Sequence, residues 1–87
     1  MRALFVGGVV DNTELDMDGS EPPLHYPPDT GGGATRYRLR LVGRRDGSVS
    51  CAVYSPPESA LEDVVRVADE RDYSRRFSAR LEPVPAP

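Results

Sequence analysis

Between Thr35 and Tyr54 the chain reads Thr-Arg-Tyr-Arg-Leu-Arg-Leu-Val-Gly-Arg-Arg-Asp-Gly-Ser-Val-Ser-Cys-Ala-Val-Tyr. Its start alternates strictly, with Tyr37, Leu39 and Leu41 set against Arg36, Arg38 and Arg40. A period of two belongs to a strand with one buried and one solvated face, and Asp46-Gly47 marks a hairpin turn. Agreement of faces across the hairpin selects the loop. A two-residue turn at Asp46-Gly47 would oppose Leu41 to Ala52 and Arg40 to Val53, mixing charge with core on one surface. A three-residue loop, Arg45-Asp46-Gly47, pairs Leu41 with Cys51 and Leu39 with Val53 on one inner face, and Gly47 supplies the positive φ. A slip of one residue exchanges the two faces, so the three-residue loop is predicted. The outer face then carries Arg36, Arg38, Arg40, Ser50, Ala52 and Tyr54.

Before the hairpin, Ala3 to Val10 is an apolar run broken by Gly7-Gly8. It is short for a helix, and Phe5, Val6, Val9 and Val10 favour a strand covered on both faces. The glycine pair marks a bulge or the close approach of another backbone. From residue 11 to residue 34 periodicity is lost among Pro22-Pro23, Pro27-Pro28 and Gly31-Gly32-Gly33, with six acidic side chains interspersed. This is read as one long acidic loop, mobile at its glycine run, with Leu24-His25-Tyr26 pinning its middle.

After the hairpin, Ser55-Pro56-Pro57-Glu58 has the form of a capping box with proline at the first helical position. Leu61, Val64, Val65 and Ala68 follow at the spacing of an amphipathic helix, with Glu62 and Arg66 as an i,i+4 pair. Phe77 to Glu82 alternates again, as a last short strand. Pro83, Pro85 and Pro87 end the chain in an extended tail over 83–87, expected to be disordered. The expected fold is α+β: a small antiparallel sheet of about four strands in the order β-loop-β-β-α-β, with one amphipathic helix on one face. It forms a single domain over 1–82.

With 87 residues the chain can bury only a thin core. No apolar run approaches the roughly 20 residues that cross a bilayer. Arg2 and the apolar run after it imitate a signal peptide, but Asp11-Asn12-Thr13-Glu14 stands where a small-residue cleavage site belongs. A cytoplasmic protein is expected. Cys51 is the one cysteine and His25 the one histidine, which excludes an internal disulfide and a zinc site built on cysteines. Cys51 is read as a buried apolar residue on the inner hairpin face.

The net charge of −3 hides a patchwork. Residues 36–54 hold five arginines against Asp46, and all eleven basic residues of the chain are arginine. Alternate residues of a strand lie about 6.5–7 Å apart, close to the spacing of successive phosphates. Arg36, Arg38, Arg40 and Tyr54 are therefore the expected partner-binding residues. Such a row can meet an anionic protein surface or a nucleic-acid strand, or be solvated and lie against the acidic loop. The acidic overall balance places nucleic acid second to protein.

Catalytic and metal chemistry have little support. Glu14, Asp16 and Asp18 before Gly19 imitate a calcium loop, but His25 stands where the twelfth ligand should be and the flanking helices are missing. His25 lies in a proline-rich loop with no third group to orient it. No catalytic residue, cofactor or metal is assigned. The expected function is that of a small non-catalytic interaction or regulatory protein, suited to an accessory or inhibitor role in a mobile element. It would bind a protein partner through the Arg/Tyr face, with nucleic-acid binding as the alternative. A homodimer, through that face or through an open strand edge, is a further possibility.

Overall fold

The hairpin turns on two residues. Asp46 and Gly47 both take positive φ (53° and 82°), and Arg45 pairs directly with Ser48. Two positive φ values in a two-residue loop give a turn whose twist matches that of the flanking strands. The three-residue loop is thus replaced, and β-bulges resolve the conflict of faces that had argued for it. In the computed structural model, which describes residues 1–19, 21–26 and 36–85, β4 spans Tyr37–Arg45 and β5 spans Ser48–Ser55. Arg44 pairs with Val49, and Gly43 already with Cys51, so Ser50 is extra on β5. Leu41 pairs with Val53 but Leu39 with Tyr54, so Arg40 is extra on β4. The expected partners Leu41–Cys51 and Leu39–Val53 are each displaced.

Among the described residues four more strands join the sheet: β1 (Arg2–Phe5), β2 (Thr13–Asp16), β3 (His25–Tyr26) and β6 (Arg80–Pro83). The strand order is β2-β1-β5-β4-β3, with β6 sharing the outer edge of β4 with β3. The fold is α+β as expected, but among the described residues the sheet has six strands and is mixed, because β1 runs parallel to β5. The expected loop over 11–34 contains two of these strands. Its Pro27-Pro28 and Gly31–Gly33 stretches lie outside the described residues, as do residues 86 and 87 of the expected tail. At the start of that tail Pro83 ends β6, and the Val84 N–H donates to Arg40 O at 2.8 Å.

Helix α1 (Leu61–Glu70) begins five residues after the expected cap, at Ala60, with no side-chain capping bond. A residue before proline is disfavoured in the α region, and Ser55 and Pro56 each precede one. Ser55 Oγ instead bonds to Pro56 O. Val64 and Ala68 of the predicted stripe are buried, whereas Leu61 is exposed. Arg66 pairs with Asp63 (3.1 Å) and, more distantly, Glu70 (3.9 Å) in place of the predicted Glu62. Just before the expected last strand lies a second short helix, α2 (Tyr73–Arg76), which buries Tyr73, and the strand itself begins at Arg80 and not at Phe77.

Both faces of the sheet carry a core. Under the helices lie Leu4, Val6, Leu41, Cys51 and Val53 with Val64, Ala68 and Tyr73. The other face, expected to be wet, buries Ala3, Phe5, Tyr37, Leu39, Val42, Ala52 and Tyr54 beneath Met17, Leu24 and Tyr26. Phe5 is its centre, with ring centroids 5.1–5.3 Å from Tyr26, Tyr37 and Tyr54. The segment after β2 folds back over this face, and the Tyr54 hydroxyl holds it by donating to Pro23 O at 2.7 Å.

Candidate functional site

The expected arginine row is not a solvated surface. Arg38 and Arg40 are 9% and 8% exposed, Tyr54 is fully buried in the aromatic core, and Arg36 is half-buried. The bulge is the physical reason. Continued alternation would aim Arg40 at one face of a sheet buried on both, and an unpaired guanidinium there is costly. As an extra residue it escapes the ladder and its Nη1 reaches Ser55 Oγ (2.8 Å), Pro56 O (3.3 Å) and Ser59 O (2.7 Å). Burial, and then the neighbouring Arg38 guanidinium, push Arg40 below the usual arginine pKa. Arg38 Nη2 donates to Val84 O at 2.9 Å, while its Nε is buried without a partner among the described residues.

Arg40 therefore pins the β5–α1 connection. Tyr37, three residues earlier on β4, does the same for the β1–β2 loop. Its hydroxyl donates to Gly7 O (2.6 Å) and accepts from Val10 N (3.0 Å). Asp11 Oδ1 accepts from Gly7 N at 2.6 Å. Gly8 sits at φ +72°, and a Cβ there would lie 2.5 Å from the Tyr37 hydroxyl oxygen. The Gly7-Gly8 pair thus serves a close approach, of a side chain and not of a backbone.

The two pinned segments adjoin. The Cβ positions of Gly7 and Gly8 lie 3.4 Å from the ring of Pro56, and that of Gly7 is 3.8 Å from Ser59 Oγ. At this end of the sheet Val9 is 91% exposed, Val10 41%, and Leu61, two residues past Ser59, 37%. Pro57 and Ala60, in the β5–α1 connection, are exposed too. Asp11, Glu58 and Glu62, in the same segments of the chain, are also exposed. Sequence reasoning missed this surface because Val9 and Val10 continue an apolar run that reads as buried strand. The signal that could have found it is Gly7-Gly8 followed by Asp11-Asn12, which ends the apolar run soon after the last strand residue, Phe5.

A second cluster surrounds Glu14, on β2. Its carboxylate takes Arg2 Nε (3.1 Å), Arg71 Nη1 (2.9 Å) and Arg76 Nη2 (3.1 Å), tying β2 to both helices. The Arg76 hydrogen bond first, aided by that from Arg2 and opposed by burial, lowers the Glu14 pKa to about 2. Asp16 pairs with Arg2 at 2.7 Å. Two of the three acids of the imitated calcium loop are thus held by arginine. The Tyr73 hydroxyl is buried near this carboxylate; burial and Glu14 raise its pKa, and it has no well-formed hydrogen bond among the described residues. The cluster is a structural clamp, because the negative charge that could act is already neutralised.

Cys51 is fully buried, and burial raises its thiol pKa. His25 lies in β3, paired with Arg38. Among the described residues no three His, Cys, Asp or Glu side chains converge on a metal position, and no helix is long and apolar enough to cross a membrane. Comparison with protein-family models, with curated proteins and with solved structures returns no match to this chain.

Proposed function

We propose that the protein is a small non-catalytic interaction module that engages a protein partner through the apolar surface of Val9, Val10 and Leu61. The observation that carries this reading is the loop held by Tyr37 and Asp11, which keeps Val9 almost wholly in solvent. An apolar side chain presented on a restrained loop meets a pocket without a further ordering cost, which is how a few residues come to dominate an interface. Asp11, Glu58 and Glu62, exposed in the same segments, suit a partner whose pocket has a basic border. Arg40 and Tyr37 are positioning residues for this surface, and the arginines lose their accessible role. With Arg38 and Arg40 occupied internally, the phosphate-spacing argument for nucleic acid loses its support.

The test compares capture of binding proteins by the wild-type chain and by Val9→Asp/Val10→Asp, with circular dichroism as the check on folding. Exposed positions tolerate such changes within about 0.5 kcal/mol of stability. A partner retained by the wild type and lost by the folded variant supports the reading, and equal retention by both overturns it.

A further inference from the structure

Among the described residues the outer edge of β6 has no strand paired to it, and it is self-complementary. Because the Val84 N–H donates to Arg40 O in the β4–β6 register, the backbone groups of Glu82 and Arg80 also face β4, and those of Leu81 and Pro83 face away. Pro83 has no N–H, and the Ala79 N–H is held by Ser74 O at 2.9 Å. Leu81 therefore carries the one outward N–H of the strand. On the helix side of this edge Leu41, Val65, Ala79, Leu81 and Pro83 line an open, mainly apolar groove of about 560 Å³. Arg80 borders this groove as well, and Glu82 lies 3.2 Å from Arg44.

We propose that two copies of the chain pair antiparallel along β6, about a twofold axis at Leu81. In that register each Leu81 N–H donates to the Leu81 carbonyl of the other copy. Arg80 stands opposite the partner's Glu82, and Glu82 opposite the partner's Arg80, as directly opposed cross-strand pairs. The two Leu81 side chains meet on the helix side and join the two grooves into one covered apolar seam. A second copy is favoured over an unrelated peptide because Arg-Leu-Glu complements itself in this register. Pro83 then stops the ladder from lengthening, which closes the pair and disfavours a fibre. The proposal is independent of the Val9–Val10 surface, which lies at the end of the sheet.

Charge swaps test it by sedimentation velocity across a concentration series. Arg80 is exposed and Glu82 half-buried, and neither belongs to the core, so the variants keep the fold. The wild type is expected to dimerise. Arg80→Glu alone and Glu82→Arg alone each place like charges opposite one another twice and weaken the dimer by about tenfold or more. Mixing the two variants restores complementary pairs at both positions, and a heterodimer at least as tight as the wild-type dimer is expected. A wild-type chain that stays monomeric at millimolar concentration would overturn the proposal. So would a dimer indifferent to Arg80→Glu, or variants that fail to associate when mixed.

Discussion

Leu39 and Leu41, two residues apart on one strand, lie on opposite faces of the sheet. Leu39 packs with Tyr37 and Tyr54, and Leu41 packs under the helices with Cys51 and Val53. Between them Arg40 leaves the ladder and bonds to the segment that precedes α1. One bulge thus divides a single apolar row between two cores and turns an expected surface cation into an internal strut.

Arg40 should therefore matter far more than an arginine on the same strand that faces water. Arg40→Ala leaves Ser59 O without its guanidinium donor and takes one donor from Ser55 Oγ and from Pro56 O, and is expected to cost about 2–4 kcal/mol. Arg44→Ala removes only the half-exposed pair with Glu82 and should cost less than about 1 kcal/mol. Urea denaturation of the two variants checks the contrast, and equal losses would contradict the strut.

The Glu14 clamp makes stability depend on acid. Its carboxyl pKa is about 2 when folded, against 4.5 ordinarily. A depressed carboxylate contributes stability that is complete above its unfolded value and is lost as pH falls from there toward the folded value. Wild-type melting temperature should thus decline between about pH 5 and pH 2. Glu14→Gln should be less stable at pH 7, by about 2 kcal/mol, and flatter over the acid range. Thermal melts at several pH values measure both.

Removal of one oxygen should loosen the β1–β2 loop. Tyr37→Phe keeps the edge-on contact with Phe5 but deletes the bonds to Gly7 O and Val10 N. Global stability is expected to fall by about 1 kcal/mol. The larger effect should be local, as faster hydrogen exchange at the Val10 amide, read by NMR. If the loop surface binds a partner, the same variant should weaken binding without altering any contacting side chain.

Gly43 and Cys51 should be energetically coupled. A Cβ on Gly43 would collide with Cys51 Sγ and lie 3.0 Å from the Ala79 Cβ. Gly43→Ala is expected to cost about 1–3 kcal/mol through overpacking. Adding Cys51→Ala should recover part of that loss, because it removes the atom most closely approached. A double-mutant cycle measures the coupling, and strict additivity would exclude the contact as the cause.

The features legible in the sequence are those whose energetics are local. Alternation from Tyr37 to Leu41, the Asp46-Gly47 pair and the Val64–Ala68 spacing announce a hairpin and a helix, because side-chain period and turn φ are properties of a few adjacent residues. The α+β class and a buried Cys51 follow from them. The face of each side chain does not. The bulge at Arg40 is favourable only because acceptors from Ser55, Pro56 and Ser59, 15 to 19 residues away, gather where the guanidinium can reach them. The burial of Tyr54 needs Pro23 O from a segment that reads as loop, and the four-residue β2 becomes a strand because β1 lies beside it. Such contacts exist only once distant segments have met, so tertiary structure decided which arginines stayed in water and which valines were left there.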